Sequence, residues 1–175
     1  MLRENVVNKI FILLMVCALI LNFVSPYKVL AEKTSNDNLL VNGSFESDFW
    51  QENSWEIEVL NWEYMQINHF PYANDKYIYP LEGDFALNYW IHDQAPDQQM
   101  FKIKQTVTLP KGYYELSVYS MGGQDEVAGS VQLFAGDQKS VIRQTNGYNN
   151  REKITLPFER VEETTLEVGA VVSGN

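Results

Sequence analysis

FKIKQTVTLPKGYYELSVYSM, residues Phe101–Met121, decides the fold class. Phe101, Ile103, Gln105, Val107 and Leu109 alternate with Lys102, Lys104, Thr106 and Thr108. A period of two is the mark of a strand with one face in a core and one in solvent. Pro110-Lys111-Gly112 then supplies turn residues. After it, Tyr114, Leu116 and Val118 alternate with Glu115, Ser117 and Tyr119. The pattern predicts two strands joined as a hairpin.

The same period recurs on either side. Trp55, Ile57 and Val59 alternate with Glu56 and Glu58, and Trp62, Tyr64 and Gln66 alternate with Glu63, Met65 and Ile67. His69 to Pro80 reads as a long aromatic loop, and Glu82-Gly83-Asp84 as a turn. In FALNYW (Phe85–Trp90), Phe85, Leu87 and Tyr89 share one face, while Ala86, Asn88 and Trp90 share the other. Downstream, Ser130–Ala135, Lys139–Gln144, Lys153–Phe158 and Thr165–Val172 read as strands, with Gly136-Asp137 and Asn146-Gly147 as turns. Eight or nine short strands with Gly, Pro and Asn punctuation predict an all-β sandwich or barrel. No helical pattern occurs beyond the amino-terminal segment.

NLLVNGSFE, Asn38–Glu46, reads as the first strand of the domain, interrupted at Asn42-Gly43-Ser44 and ending with one carboxylate at the rim. Glu32–Asp37 is a polar lead-in expected to be disordered. Residues 1–31 carry Arg3 and Lys9, then an uncharged run from Ile10 to Phe23, then Val29-Leu30-Ala31. This is the pattern of a secretory signal peptide cut after Ala31; the apolar run is short for a membrane span.

Cys17 is the chain's one cysteine and falls in that segment, so a mature chain from Glu32 has no disulfide, cysteine metal site or cysteine nucleophile. The net charge is −10; removing Arg3, Lys9 and Lys28 together with Glu4 leaves −12. Nucleic acid and anionic membrane are thereby excluded as partners, since both require a positive footprint. A neutral ligand or a cation fits. All four tryptophans lie between Trp50 and Trp90.

NLLVNGSFE, EGDFALNYW, FKIKQTVTLPKGYYELSVYSMGG, SVQLFAGD and TNGYNN, in this order and spacing, resemble the galactose-binding-like jelly-roll modules that bind carbohydrate. The resemblance is to carbohydrate-binding module family 61. It points to the β-sandwich preceding the catalytic barrel of secreted bacterial arabinogalactan endo-β-1,4-galactanases of glycoside hydrolase family 53, and it covers Asn38 to Asn175. It implies a jelly-roll sandwich of two antiparallel sheets, and plant cell-wall β-1,4-galactan or arabinogalactan as partner. It also implies a carboxy-terminal catalytic barrel in the parent protein, and one further strand, bearing an aromatic and aspartates, beyond Asn175. Arg151 stands where the family pattern has an aromatic. The resemblance further implies a structural calcium held by Glu46, the Ser44 carbonyl and Asp84, consistent with calcium's preference for oxygen ligands.

A sugar's C–H face packs on an indole or phenol ring, and polar groups at its edge fix its orientation. Trp90 and Asn88 on one strand face are therefore the leading carbohydrate-binding candidates. Trp62, Trp50 and the Tyr72–Tyr79 loop are candidate walls, and Tyr119, Gln124 and Gln132 are further polar or aromatic candidates. Trp55 reads as packing. No pair among Glu56, Glu58, Glu63, Asp93 and Asp97 stands out as glycosidase carboxylates, and catalysis is not expected from this chain. His69 and His92 read as loop residues, with no triad or zinc arrangement. Asn42-Gly43-Ser44 matches a glycosylation sequon, which its turn role explains. Two alternatives remain: an amino-terminal piece of a galactanase precursor, named for the enzyme's activity, and a structural or adhesion sandwich with no sugar site.

Overall fold

The computed structural model describes residues 38–72, 78–79, 81–92, 94–123 and 129–174. The expected signal segment 1–31, the lead-in 32–37 and half of the aromatic loop, residues 73–77 and 80, lie outside them. In chain order the elements are α1 (Phe49–Glu52), β1 (Glu56–Val59), β2 (Met65–Pro71), β3 (Phe85–Ile91), β4 (Gln99–Leu109), β5 (Gly112–Ser120), β6 (Ser130–Ala135), β7 (Gln138–Lys139), β8 (Arg143–Gln144), β9 (Glu152–Arg160) and β10 (Thr164–Gly174). One antiparallel sheet has the order β1-β4-β10-β6-β7, with β8 also paired to β6. Two further antiparallel pairs, β2-β3 and β5-β9, complete the sandwich.

A single core joins the three sheets. Phe101 and Ile103 of β4, Leu133 of β6 and Val168 of β10 meet Met65 and Ile67 of β2, Leu116 of β5 and Leu156 of β9. Phe49, Met65, Phe101 and Leu133 are almost wholly enclosed. Each such side chain contributes about 1.5–3 kcal/mol of transfer free energy. The longest ladder, β4-β10, runs from Thr164 opposite Leu109 to Gly174 opposite Gln99. At its middle the two backbones come very close: a Cβ on Gly169 would lie 2.0 Å from the Ile103 carbonyl oxygen. Only glycine fits there.

The expected Phe101–Met121 hairpin does not form. Both arms are strands with the predicted inward faces, but β4 pairs with β1 and β10, whereas β5 pairs with β9. Pro110-Lys111 carries the chain between sheets, and the Tyr114 hydroxyl donates to the Pro110 carbonyl at 2.8 Å. Alternation tells which face of a strand is buried; it does not name the neighbour.

NLLVNGSFE is not a strand. It is a turn with Asn42 and Phe45 at φ of 50° and 61°. The Asn42 side chain accepts from Ser47 N at 3.1 Å and donates to Ser47 O at 2.7 Å, giving the backbone a local alternative to a ladder. The buried Gln105 accepts from Val41 N and donates to Val41 O, which satisfies its inward-facing amide. β2 begins at Met65 and runs into the expected loop as far as Pro71. Residues 139–144 break into the two short pieces β7 and β8. A single helical turn, α1, is capped by Asp48, whose carboxylate accepts from Trp50 N, and is closed by the left-handed Asn53.

Candidate functional site

The outer face of β2-β3 follows from its inner one. Met65, Ile67, Leu87, Tyr89 and Ile91 pack in or against the core, so the strand period turns Gln66, Asn68 and Phe70 outward on β2, and Ala86, Asn88 and Trp90 outward on β3. The register places Asn68 opposite Asn88 and Gln66 opposite Trp90. Trp90 is 57% exposed. The Asn88 amide donates to the Tyr72 hydroxyl at 2.8 Å, and Tyr72 packs against Phe70 at 4.7 Å between ring centroids. The face therefore carries an open indole beside three amides, one of them oriented by a phenol.

Beyond the strand ends the same face continues. His92 N donates to Tyr64 O at 2.9 Å, extending the ladder by one residue pair, and Ala95 N donates back to His92 O at 2.9 Å. There Glu63, Tyr64, His92 and Gln94 line an open, largely polar depression of about 340 Å³. Trp62, next to Glu63, is 53% exposed. Its turn is fixed by Asn61, whose side-chain oxygen accepts from Glu63 N at 2.9 Å. The Trp62 ring lies 6.0 Å from that of Trp50, which is 42% exposed and rests on Phe49 at 5.2 Å. Trp55 has a packing role, as expected: its ring sits 5.4 Å from Phe45 and its Nε1 donates to Asn42 O at 3.1 Å.

The structure thus brings Trp90 and Asn88 together on the outer face of β2-β3, whereas Trp62 packs on Trp50, which rests on Phe49 beside the inward-facing His69. Tyr119 and Gln132 lie on other strands. Tyr119 lies on β5 opposite Lys153. Gln132 lies on β6, in the six-stranded sheet, and donates to Ser140 O at 2.9 Å. Gln124 lies outside the described residues. Reasoning from sequence passed over Glu63, His92 and Gln94. His92 shares the parity of Asn88 and Trp90, which was the available signal. His92 lies past the end of β3, as a loop residue, but His69 does not: it lies in β2, stacks on Phe85 at 4.3 Å, and its Nε2 is 2.8 Å from Phe45 O.

Glu46 reaches across to the Glu82-Gly83-Asp84 turn. Its two carboxylate oxygens accept from Asp84 N at 3.0 Å and Phe85 N at 3.2 Å. Gly83, at φ +65°, leaves the room this needs. Among the described residues no three His, Cys, Asp or Glu side chains gather into a metal-binding group. Glu46 and the exposed Asp84 offer two carboxylates, and each Glu46 oxygen retains an unused lone pair. Backbone carbonyls and water must supply most of the 6–8 oxygens that calcium takes.

The strongest charge cluster sits on the other sheet. Lys104, though on the solvent face of β4, has a side chain only 10% exposed, because Glu58 at 2.6 Å, Glu167 at 2.8 Å and Glu56 at 3.3 Å close over it. Hydrogen bonds from Lys104 hold the Glu58 and Glu167 carboxyls below the usual glutamate range; Lys102 adds to this at Glu167. The same bonds, that of Glu167 foremost, hold the Lys104 ammonium well above its ordinary value. Lys102 also lies over the Phe134 ring at 4.8 Å. The cluster is internally paired and forms no part of the Trp90 face.

No protein-family model matches the chain, and no curated protein matches it significantly. Among solved structures it is similar to TmCBM61, described in complex with β-1,4-galactotriose at 1.4 Å resolution. The TM-score is 0.59 at 20% sequence identity, over 79% of this chain and 88% of the other. The chain has the β-sandwich fold of that carbohydrate-binding module, in agreement with the resemblance carried by its sequence.

Proposed function

We propose that this chain is a non-catalytic carbohydrate-binding domain for β-1,4-galactan or arabinogalactan side chains, and that the outer face of β2-β3 is its binding platform. The observation that carries the reading is Trp90: a large aromatic held open on a regular strand, flanked by Asn88, Gln66 and Asn68. An indole in water is costly to leave uncovered, and the C–H face of a pyranose covers it while the amides take the hydroxyls. The fold shared with a galactotriose-binding module supports the ligand class. The net charge of −10 favours a neutral polymer over a polyuronate.

The wider setting belongs to the same proposal. The chain is secreted by a bacterium and acts beside a galactanase catalytic barrel in its parent protein, raising that enzyme's effective concentration on its polymer. Calcium binds at Glu46, the Ser44 carbonyl and Asp84 and reinforces the tie between the amino-terminal turn and the β3 entrance; a calcium-dependent rise in melting temperature, lost in Glu46→Ala, is the expected sign. Affinity electrophoresis tests the function itself. Retardation by soluble β-1,4-galactan, and none by polygalacturonate, is expected. Unretarded, folded protein in galactan gels, with and without calcium, contradicts the proposal.

A further inference from the structure

Among the described residues, β5 and β9 pair only with each other. Leu116, Ile154, Leu156 and Phe158 lie in the core. The strand period therefore turns the odd-numbered residues of Tyr113–Tyr119 and of Lys153–Glu159 outward, and all of them are exposed. Tyr113 is 75% exposed and Tyr119 50%. The two phenol rings stand on one strand face, about 20 Å apart. The register sets Tyr113 opposite Glu159 and Tyr119 opposite Lys153. Each aromatic thus has a charge beside it, acidic at one end of the face and basic at the other. Between them Pro157 and Thr155 present small, uncharged side chains on β9.

We infer that this face is a self-association surface whose occupant is a second copy of this chain. The two copies pack across a two-fold axis that lies in the interface, perpendicular to the strands. That axis reverses strand direction. It sets Tyr113 over Tyr119 of the second copy and Glu159 over Lys153 of the second copy, each twice, with Pro157 over Thr155. Aromatic meets aromatic and opposite charges meet, which is the self-complementarity that a two-fold interface requires. Tyrosine is also among the residues enriched at interfaces. Lys153 is held on the face by Glu115 at 3.0 Å, and its ammonium has three donors, so it can serve a second carboxylate as well. A uniformly acidic partner would meet Glu159, and a uniformly basic one Lys153; a polarised surface run in reverse satisfies both ends. A two-strand face about 20 Å long buries less than the roughly 800 Å² per partner of a stable complex, so the association is weak, with a Kd on the order of 100 μM.

The surface is separate from the Trp90 platform and does not depend on sugar binding. Sedimentation velocity of the protein over roughly 10–500 μM tests it, at low salt where exposed charges are least screened. Wild type is expected to show a sedimentation coefficient that rises with concentration. Glu159→Lys and Lys153→Glu each set like charges face to face and are expected to weaken association at least tenfold. An equimolar mixture of these two variants restores every opposite-charge contact and is expected to associate as wild type does. Tyr113→Ser loses association at an unchanged melting temperature, because its side chain is exposed. Trp90→Ala associates like wild type. A wild-type protein that stays monomeric at the highest concentration overturns the inference. So do single charge variants that associate undiminished, a mixture that fails to restore association, or association lost in Trp90→Ala and kept in Tyr113→Ser.

Discussion

Trp90 and Gln66 stand directly opposite each other in the β2-β3 ladder, both exposed on its outer face. An indole and an amide on neighbouring strands make the smallest unit that can both stack on a pyranose ring and fix its rotation. Gln66→Ala removes only the second function. A neutral hydrogen bond contributes about 0.5–1.5 kcal/mol net, so affinity for galactan oligomers is expected to fall roughly two- to tenfold. The melting temperature should not move, because the side chain is exposed. Calorimetry and thermal melts on the one variant check both halves.

Glu46 and Gly83 form a coupled pair. Glu46→Ala leaves the Asp84 and Phe85 amides without their protein acceptor and is expected to cost about 1 kcal/mol, water replacing part of what is lost. Gly83→Ala is expected to cost more. Its Cβ would fall 2.2 Å from the Glu46 carboxyl carbon, on a backbone at φ +65°. The double variant should be less destabilised than the sum of the singles, since the collision is gone once Glu46 is removed. Denaturant unfolding of all three measures the coupling; strict additivity contradicts the contact.

The Lys104 cluster predicts a pH dependence of definite sign. Glu58 and Glu167 have depressed folded-state values. Their contribution is therefore present above the unfolded glutamate value of about 4.3 and is lost as pH falls through the lower folded values. Lys104, with a raised value, contributes fully until pH rises past about 10.4. Lys104→Met leaves Glu56, Glu58 and Glu167 facing one another. It should lower the melting temperature most at neutral pH and progressively less below about pH 4, where the carboxyls protonate. Melts across pH 3–8 give the test. A constant difference contradicts the role assigned to the ion pairs.

Gly169→Ala attacks the β4-β10 seam. A methyl group 2.0 Å from a main-chain oxygen cannot be accommodated by a side-chain rotation, so the ladder must shift. A cost of about 1–3 kcal/mol or more is expected, read as a large fall in the unfolding midpoint. The neighbouring Val171→Ala serves as control, being a half-buried residue on the same strand with no such approach.

What was legible in the sequence was local. The two faces of Phe85–Trp90 followed from a period of two, and so did the exposure of Trp90. The inward Leu116 and Val118 were legible for the same reason. What failed was partnership and competition. Pro110-Lys111-Gly112 has hairpin chemistry, yet β4 finds its longest ladder with β10, whose residues Thr164–Gly174 lie far along the chain. Leu39-Leu40-Val41 has strand composition, yet the Asn42 side chain captures both main-chain groups of Ser47 and turns the backbone first. The depression of Glu63, Tyr64, His92 and Gln94 joins two segments almost thirty residues apart, and neither half alone signals a site. Lys104 read as a solvated lysine; three glutamates from β1 and β10 bury it.

The central claim is that Trp90 carries the binding of a neutral galactan. Calorimetric titration of wild type and Trp90→Ala with β-1,4-galactotriose tests it most directly. Wild type is expected to bind. The variant is expected to lose at least tenfold in affinity, about 1.4 kcal/mol, while its melting temperature stays within a degree or two of wild type, because the indole is more than half exposed. Unchanged affinity in a folded variant, or a collapse of stability without a specific loss of binding, would contradict the account.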